Sequence, residues 1–127
     1  MPARPTVLDI EATVDTFRAA YVASHNAAFI LNQCPATPRS ARALDAAQKL
    51  SQLGVLAEPM IAARIDYQDA IAAGLGVTEY AERGRAACEI KALWSWVESR
   101  LGRSERQMSM QMGGFKNRLA AIARYFS

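Results

Sequence analysis

The run Ala27-Ala28-Phe29-Ile30-Leu31-Asn32-Gln33 decides the fold. Its apolar part is too brief for a helix, and it is bounded by Asn32, Gln33 and Pro35. That pattern suits a strand buried on both faces, as found in parallel sheets covered by helices. The carboxyl end of such a strand delivers polar groups, here two amides. Upstream, Asp9 is placed to cap a helix in which Ile10, Val14, Phe17, Ala20 and Tyr21 recur at helical spacing, ending near Ser24 and Asn26. Downstream, Thr37 supplies an N-cap and Pro38 the first helical position. Ala41, Leu44, Ala47, Leu50 and Leu53 then form an apolar face before Gly54.

Beyond Glu58-Pro59, the residues Met60-Ile61-Ala62-Ala63 read as a second short strand running to Arg64. Asp66 is positioned to cap a short helix carrying Tyr67, Ala70, Ile71 and Ala73 and closed by Gly74. Leu75-Gly76-Val77 turns the chain. From Glu82, the spacing of Ala86, Ile90, Leu93, Trp94, Val97 and Leu101 marks a long amphipathic helix stopped by Gly102. Strands alternating with helices predict an α/β fold built of βαβ units around a parallel sheet.

Composition narrows the function classes. No run approaches the ~20 apolar residues of a membrane span, and no secretory signal follows Met1, so a cytoplasmic protein is expected. Cys34 and Cys88 lie far apart without ligand spacing and read as small buried apolar residues rather than a metal site or a disulfide. His25 reads as structural or solvent-exposed. Of the 15 basic residues, five (Arg103, Arg106, Lys116, Arg118 and Arg124) lie from residue 103 onward against one acid, Glu105. Residues 1–102 therefore read as a near-neutral domain and 103–127 as a basic tail, suited to nucleic acid, an acidic partner or a membrane surface.

Several stretches, in order, are similar to one family. Pro5-Thr6-x-x-Asp9-Ile10-x-Ala12, Phe29-Ile30-Leu31-Asn32-Gln33, and Arg64-Ile65-x-Tyr67-Gln68-Asp69-Ala70 resemble the distal half of ParA/Soj-like partitioning ATPases, relatives of MinD with a deviant Walker motif. Gly74-Leu75-Gly76-Val77-Thr78-Glu79-Tyr80, Gly84-Arg85-Ala86-Ala87-x-Glu89-Ile90 and Leu93-Trp94-x-Trp96-Val97 continue the resemblance, which covers about residues 4 to 101. It implies part of a P-loop NTPase-like parallel sheet and a role in plasmid or chromosome partitioning. It also implies ATP or ADP with magnesium as cofactor, a homo-oligomer or a complementary ATPase half, a ParB-like partner, and nucleoid association. The phosphate-binding half is expected to be missing. Lys49, Lys91 and Lys116 follow Gln48, Ile90 and Phe115, so no Gly-Lys pair exists to cradle phosphates. Such a chain is expected not to hydrolyse ATP alone, and to expose an apolar sheet edge where the missing strand would pair.

What the resemblance leaves here is the base side of a nucleotide site. It places Asn32 at the end of the first predicted strand, where the family's adenine-contacting asparagine lies, with Gln33 beside it and Ile61, Arg64 and Ile65 as candidate walls. An amide offers the donor and acceptor that adenine's edge requires. The alternatives are that Asn32 and Gln33 satisfy a strand-to-loop turn, and that Arg64 faces solvent or pairs with Asp66 or Asp69. The resemblance also implies DNA binding without sequence preference, for which Arg39, Arg42 and Arg64 are candidates, with Arg83 and Arg85 behind them. After Gly113-Gly114, the residues Phe115, Leu119, Ile122 and Phe126 form an apolar stripe beside Lys116, Arg118 and Arg124. A membrane anchor, a DNA contact and a helix docked on the body or a partner all stay open for this stripe. A stand-alone interaction module, binding protein, DNA or membrane through that tail, is the alternative function.

Overall fold

Phe29 and Leu31 are fully buried while Ala28 and Ile30 between them are half-buried, so the deciding run does form a strand, with unequal faces. The computed structural model of the protein describes residues 1–24, 26–37 and 40–125. Side chains are described up to residue 103, apart from Ser24, and at Arg106 and Met110. The elements are β1 (Pro2–Ala3), α1 (Val7–Ser24), β2 (Ala28–Leu31), α2 (Ala41–Leu53), β3 (Val55–Leu56), α3 (Ile65–Ala72), α4 (Val77–Tyr80) and α5 (Arg85–Tyr125). The chain divides into two compact units, Met1–Trp94 and Ser95–Ser127.

In the first unit the three strands form a parallel sheet in the order β1-β2-β3. Helices α1 and α2 are the two crossovers. Both lie on one face of the sheet, because Ile10 and Phe17 of α1 and Ala43, Ala46 and Leu50 of α2 share one core with Ala3, Phe29 and Leu31. Consecutive crossovers of the same hand between sequential strands produce that arrangement. Register puts Pro2 beside Ile30 and Val55 beside Ala28, and these residues line the opposite face. The α/β class with a parallel sheet and flanking helices is therefore as expected.

Three boundaries differ from the sequence reading. Helix α1 begins at Val7, because the Thr6 hydroxyl accepts from Asp9 N–H at 3.2 Å and donates to Asp9 Oδ2 at 2.7 Å. Asp9 thus occupies the third helical position, bonded through both its N–H and its carboxylate to the Thr6 hydroxyl, instead of being the cap itself. Helix α2 starts at Ala41, where the Ser40 hydroxyl accepts from Ala43 N–H at 3.5 Å. Thr37 lies in a bend before it, and Pro38 falls outside the described residues. The expected strand at 60–64 is a single parallel bridge between Cys34 and Ala62, while β3 forms at Val55–Leu56 immediately after Gly54. Segment 57–59, which includes Pro59 with no N–H to donate, splits the third strand. The chain rejoins the end of β2 through Ile61 N–H to Leu31 O and Cys34 N–H to Ile61 O, both 2.9 Å.

Helix α5 also runs past Gly102. A glycine inside a helix costs about 1 kcal/mol relative to alanine, which good helix formers on both sides offset. Arg106 lies back over this position and donates from Nε to the Gly102 carbonyl at 3.1 Å. In the same unit the Arg100 guanidinium stands 5.0 Å from the Trp96 ring centroid. Among the described residues no helix is long and apolar enough to cross a membrane.

The first unit depends on a close approach at the end of α2. The Phe17 ring stacks on Phe29 with centroids 4.1 Å apart, and a methyl at Gly54 would overlap the Phe17 ring. The extended backbone of Gly54 suits any residue, so the ring alone opposes a side chain. Gly54→Ala is expected to destabilise by about 1–3 kcal/mol in denaturant melts, the usual range for overpacking a core. A Gly54→Ala variant as stable as the parent would contradict this packing.

Candidate functional site

A cleft of about 800 Å³ opens on the sheet face that α1 and α2 leave uncovered. Pro2 and Ile30 line its sheet side, and Asn32 and Gln33 follow directly from the carboxyl end of β2. The extended segment Ile61–Arg64 forms a second wall. Ile65, Tyr67, Gln68 and Ile71 of α3 and Ile90 and Leu93 of α5 complete it. All five residues expected from sequence to surround a base, Asn32, Gln33, Ile61, Arg64 and Ile65, thus line one cleft. Its place beyond the carboxyl ends of parallel strands is where open α/β sheets take ligands. Its size is within the 300–1,000 Å³ typical of small-molecule sites, and its walls are mostly apolar with a few polar groups.

One carboxylate holds the second wall in place. Glu89 Oε1 accepts from Arg64 Nη2 at 2.5 Å and from Nε at 3.1 Å, and Glu89 Oε2 accepts from Ala62 N–H at 3.2 Å. Both side chains are about four-fifths covered, with 20% and 21% exposure, so the pair is shielded from full solvent screening. The Glu89 hydrogen bonds raise the Arg64 pKa further above its ordinary value, against partial desolvation. Arg64 therefore neither faces solvent nor pairs with Asp66 or Asp69. Its charge is met inside the fold, and it is the only charged side chain lining the cleft among the described residues. Tyr67 joins α3 to α5 by a long bond from its hydroxyl to Ala86 O at 3.4 Å. It packs with Ile90 against Ala70, Val77 and Ala86. Burial, helped by the Glu89 charge, pushes the Tyr67 pKa up, so the phenol keeps its proton.

The two cleft-lining amides sit on a constrained turn. Gln33 has φ 51° and is the one non-glycine with positive φ among the described residues. Its N–H donates to Asn32 Oδ1 at 2.9 Å, which accounts for one acceptor position of that amide and supports the turn alternative in part. Among the described residues no hydrogen bond uses the Asn32 amide nitrogen. Asn32 lines both this cleft and a neighbouring one.

A second, polar cleft of about 260 Å³ shares Pro2, Asn32 and Gln33 with the first and adds Ala3, Arg4, Asp9 and Thr13. Arg4 Nε meets Asp9 Oδ2 at 2.8 Å, and the Thr13 hydroxyl donates to Asp9 O at 2.6 Å. The hydrogen bond from Thr6, then the one from Arg4, holds the Asp9 carboxyl below the usual carboxylate range.

The remaining candidates lie elsewhere. Arg42 is exposed on α2 and lines a separate cleft of about 290 Å³ with Asp45 and Lys49, so it is not gathered with Arg64. Lys49 there pairs with Asp45 at 3.0 Å. Arg39 and His25 fall outside the described residues, as does Phe126; Phe115, Leu119 and Ile122 lie within α5 with side chains outside them. Arg83 and Arg85 are exposed near the start of α5. Cys34 is buried as expected, whereas Cys88 is exposed. Among the described residues no group of three or more His, Cys, Asp or Glu side chains could hold a metal ion. Sequence reasoning missed Glu89 as an anchor. Its signal is an acid at i+3 from Ala86, beside the apolar stripe that continues to Ile90 and Leu93. No known protein family, curated protein or solved structure matches this chain.

Two substitutions test this geometry. Glu89→Ala is expected to cost about 2 kcal/mol in a denaturant melt, the scale of hydrogen bonds to charged groups. Amide exchange should quicken at Ala62, whose N–H loses its acceptor, and equal exchange there would contradict the anchor. At Gln33, glycine removes the steric penalty of a left-handed residue, about 1–2 kcal/mol, although its greater unfolded-state freedom offsets part of that gain. Gln33→Gly is thus expected to match or exceed the parent melting temperature while Gln33→Val lowers it; the reverse order would contradict the turn conformation.

Proposed function

We propose that this chain supplies the adenine-binding side of a nucleotide site in a ParA-like, P-loop NTPase-type partitioning ATPase, with the phosphate-binding loop contributed by another segment of polypeptide. The observation that carries it is the meeting of Asn32, Gln33, Ile61, Arg64 and Ile65 in one cleft at the carboxyl ends of a parallel sheet. A planar base fits between the apolar walls of Ile30, Ile61 and Ile65, with the Asn32 amide at its edge. Adenine's ring nitrogens accept from such an amide, and the isoleucines exclude water from its faces.

The same cleft does not fit a triphosphate or its magnesium. Among the described residues its one cation is held by Glu89 and no carboxylate lines it, so the positioning and charge that phosphoryl transfer requires are not assembled by them. No step of hydrolysis is assigned to these residues. In this reading the partners are a complementary ATPase half or a second copy, a ParB-like protein and the DNA backbone. The charge of Arg64 is then a structural one, leaving Arg42 and Arg39 as the DNA candidates. A second reading, a protein-docking module, draws on the exposure of Ile65 (63%) and Ile71 (78%) at the cleft.

Titration of the labelled chain with adenosine, followed by amide shifts, separates the two. Adenosine is expected to perturb Asn32, Gln33 and residues 61–65, with ATP binding no more tightly. Asn32→Ala should weaken adenosine about tenfold, the equivalent of 1.4 kcal/mol. A chain that ignores adenosine, or shifts only away from this cleft, would leave the docking reading.

A further inference from the structure

Helix α5 is continuous from Arg85 to Tyr125, through Gly102 and through Gly113-Gly114. That continuity joins two apolar stretches that the glycines separate in the sequence. At about 100° per residue, positions 97, 101, 104, 108, 112, 115, 119 and 122 all fall within about 40° of one line along the helix. Ser104 is the one polar residue among them. Leu101 on this line is 52% exposed, and the unit Ser95–Ser127 holds no second helix or strand among its described residues. Such a helix needs a packed face. Glycine is the poorest helix former after proline, and most helical stability in proteins comes from burying an amphipathic stripe.

The stripe fits a second copy of itself. A two-fold axis between Gln111 and Met112 runs the two helices antiparallel and lays stripe on stripe. Leu101 comes level with the partner's Ile122, Ser104 with the partner's Leu119, and Met108 with the partner's Phe115. Charge agrees with this direction. Glu105 and Lys116 lie on the same flank, about 60–80° from the line, and in an antiparallel pair that flank meets its own kind. Glu105 then stands within about 3 Å of the height of the partner's Lys116, twice per dimer. A parallel pair opposes unlike flanks. It matches Glu98 with the partner's Arg100 but sets Lys116 beside the partner's Arg118, and it stacks Ser104 on the partner's Ser104.

We propose that residues 97–122 of α5 are a self-association surface, on which two copies of the chain pair as an antiparallel two-helix seam centred between Gln111 and Met112. The seam is independent of the nucleotide reading, since no residue lining the cleft takes part.

Sedimentation of the full chain across the micromolar range is expected to show a dimer of twice 13.9 kDa. A monomer throughout would overturn the seam, including one that binds anionic vesicles through α5. Leu119→Glu should weaken the dimer at least tenfold, and unchanged amide signals from residues 1–94 would show that this variant is folded. A dimer indifferent to Leu119→Glu uses another surface and overturns the proposal. Direction is read by cross-linking in a Cys88→Ser background, with the remaining Cys34 buried. Chains carrying Met108→Cys or Phe115→Cys are expected to form a disulfide under oxidant only when mixed, because each position lies about 10 Å in height from its own copy across the axis. A chain of either kind that cross-links to itself, or a mixture that does not cross-link, would overturn the antiparallel register.

Discussion

Glu89 accepts from the Arg64 guanidinium and the Ala62 N–H with its two oxygens, and so joins the start of α5 to the extended segment after the split third strand. Without that tie, residues 61–65 would be a loop attached to the sheet by one bridge and a few backbone bonds. A loop with so few contacts opens readily, and a cleft wall made from it would have no fixed position. With the tie, Ile61 and Ile65 line one cleft with Ile30 at the ends of the parallel strands. Arg64 is retained for shape, since its charge is neutralised by Glu89.

The sheet explains why the cleft exists at all. Two successive crossovers place α1 and α2 on the same face, over Phe29 and Leu31, and leave the face of Pro2, Ala28 and Ile30 without a full helical layer. In a doubly wound sheet, helices cover both faces. Here α3 and the first turns of α5 cover only part of the second, and the space they leave is the cleft. The close contact of Gly54 with Phe17 serves the opposite, filled face. One face is therefore the core and the other is available to a ligand or a partner.

Much of this was legible in the sequence where the signal is local. The apolar run at 27–31, the spacing of Ile10 and Phe17, and the stripe from Ala86 to Leu93 each report a periodicity that the sheet and helices obey. Choices between adjacent polar residues were less legible. Thr6 and Asp9 can each begin a helix, as can Thr37 and Ser40, and tertiary geometry selects between them. The third strand escaped because Gly54 ends α2 and begins β3 without a turn, while Met60–Arg64 has strand composition but rejoins the sheet by one bridge. The site residues were placed by resemblance, and their meeting in one cleft is a property of the topology. The position of Glu89 beside the apolar stripe of α5 is a local signal, but its partner Arg64 lies 25 residues away, and nothing local pairs the two.

If the cleft takes adenine, protons on the base must lie against the isoleucine walls. The direct measurement is the set of intermolecular nuclear Overhauser effects between adenosine and the methyl-labelled full chain. The proposed base site predicts contacts from the base H2 and H8 protons to Ile30, Ile61 and Ile65 methyls. Contacts confined to methyls outside this cleft, at saturating adenosine, would contradict it.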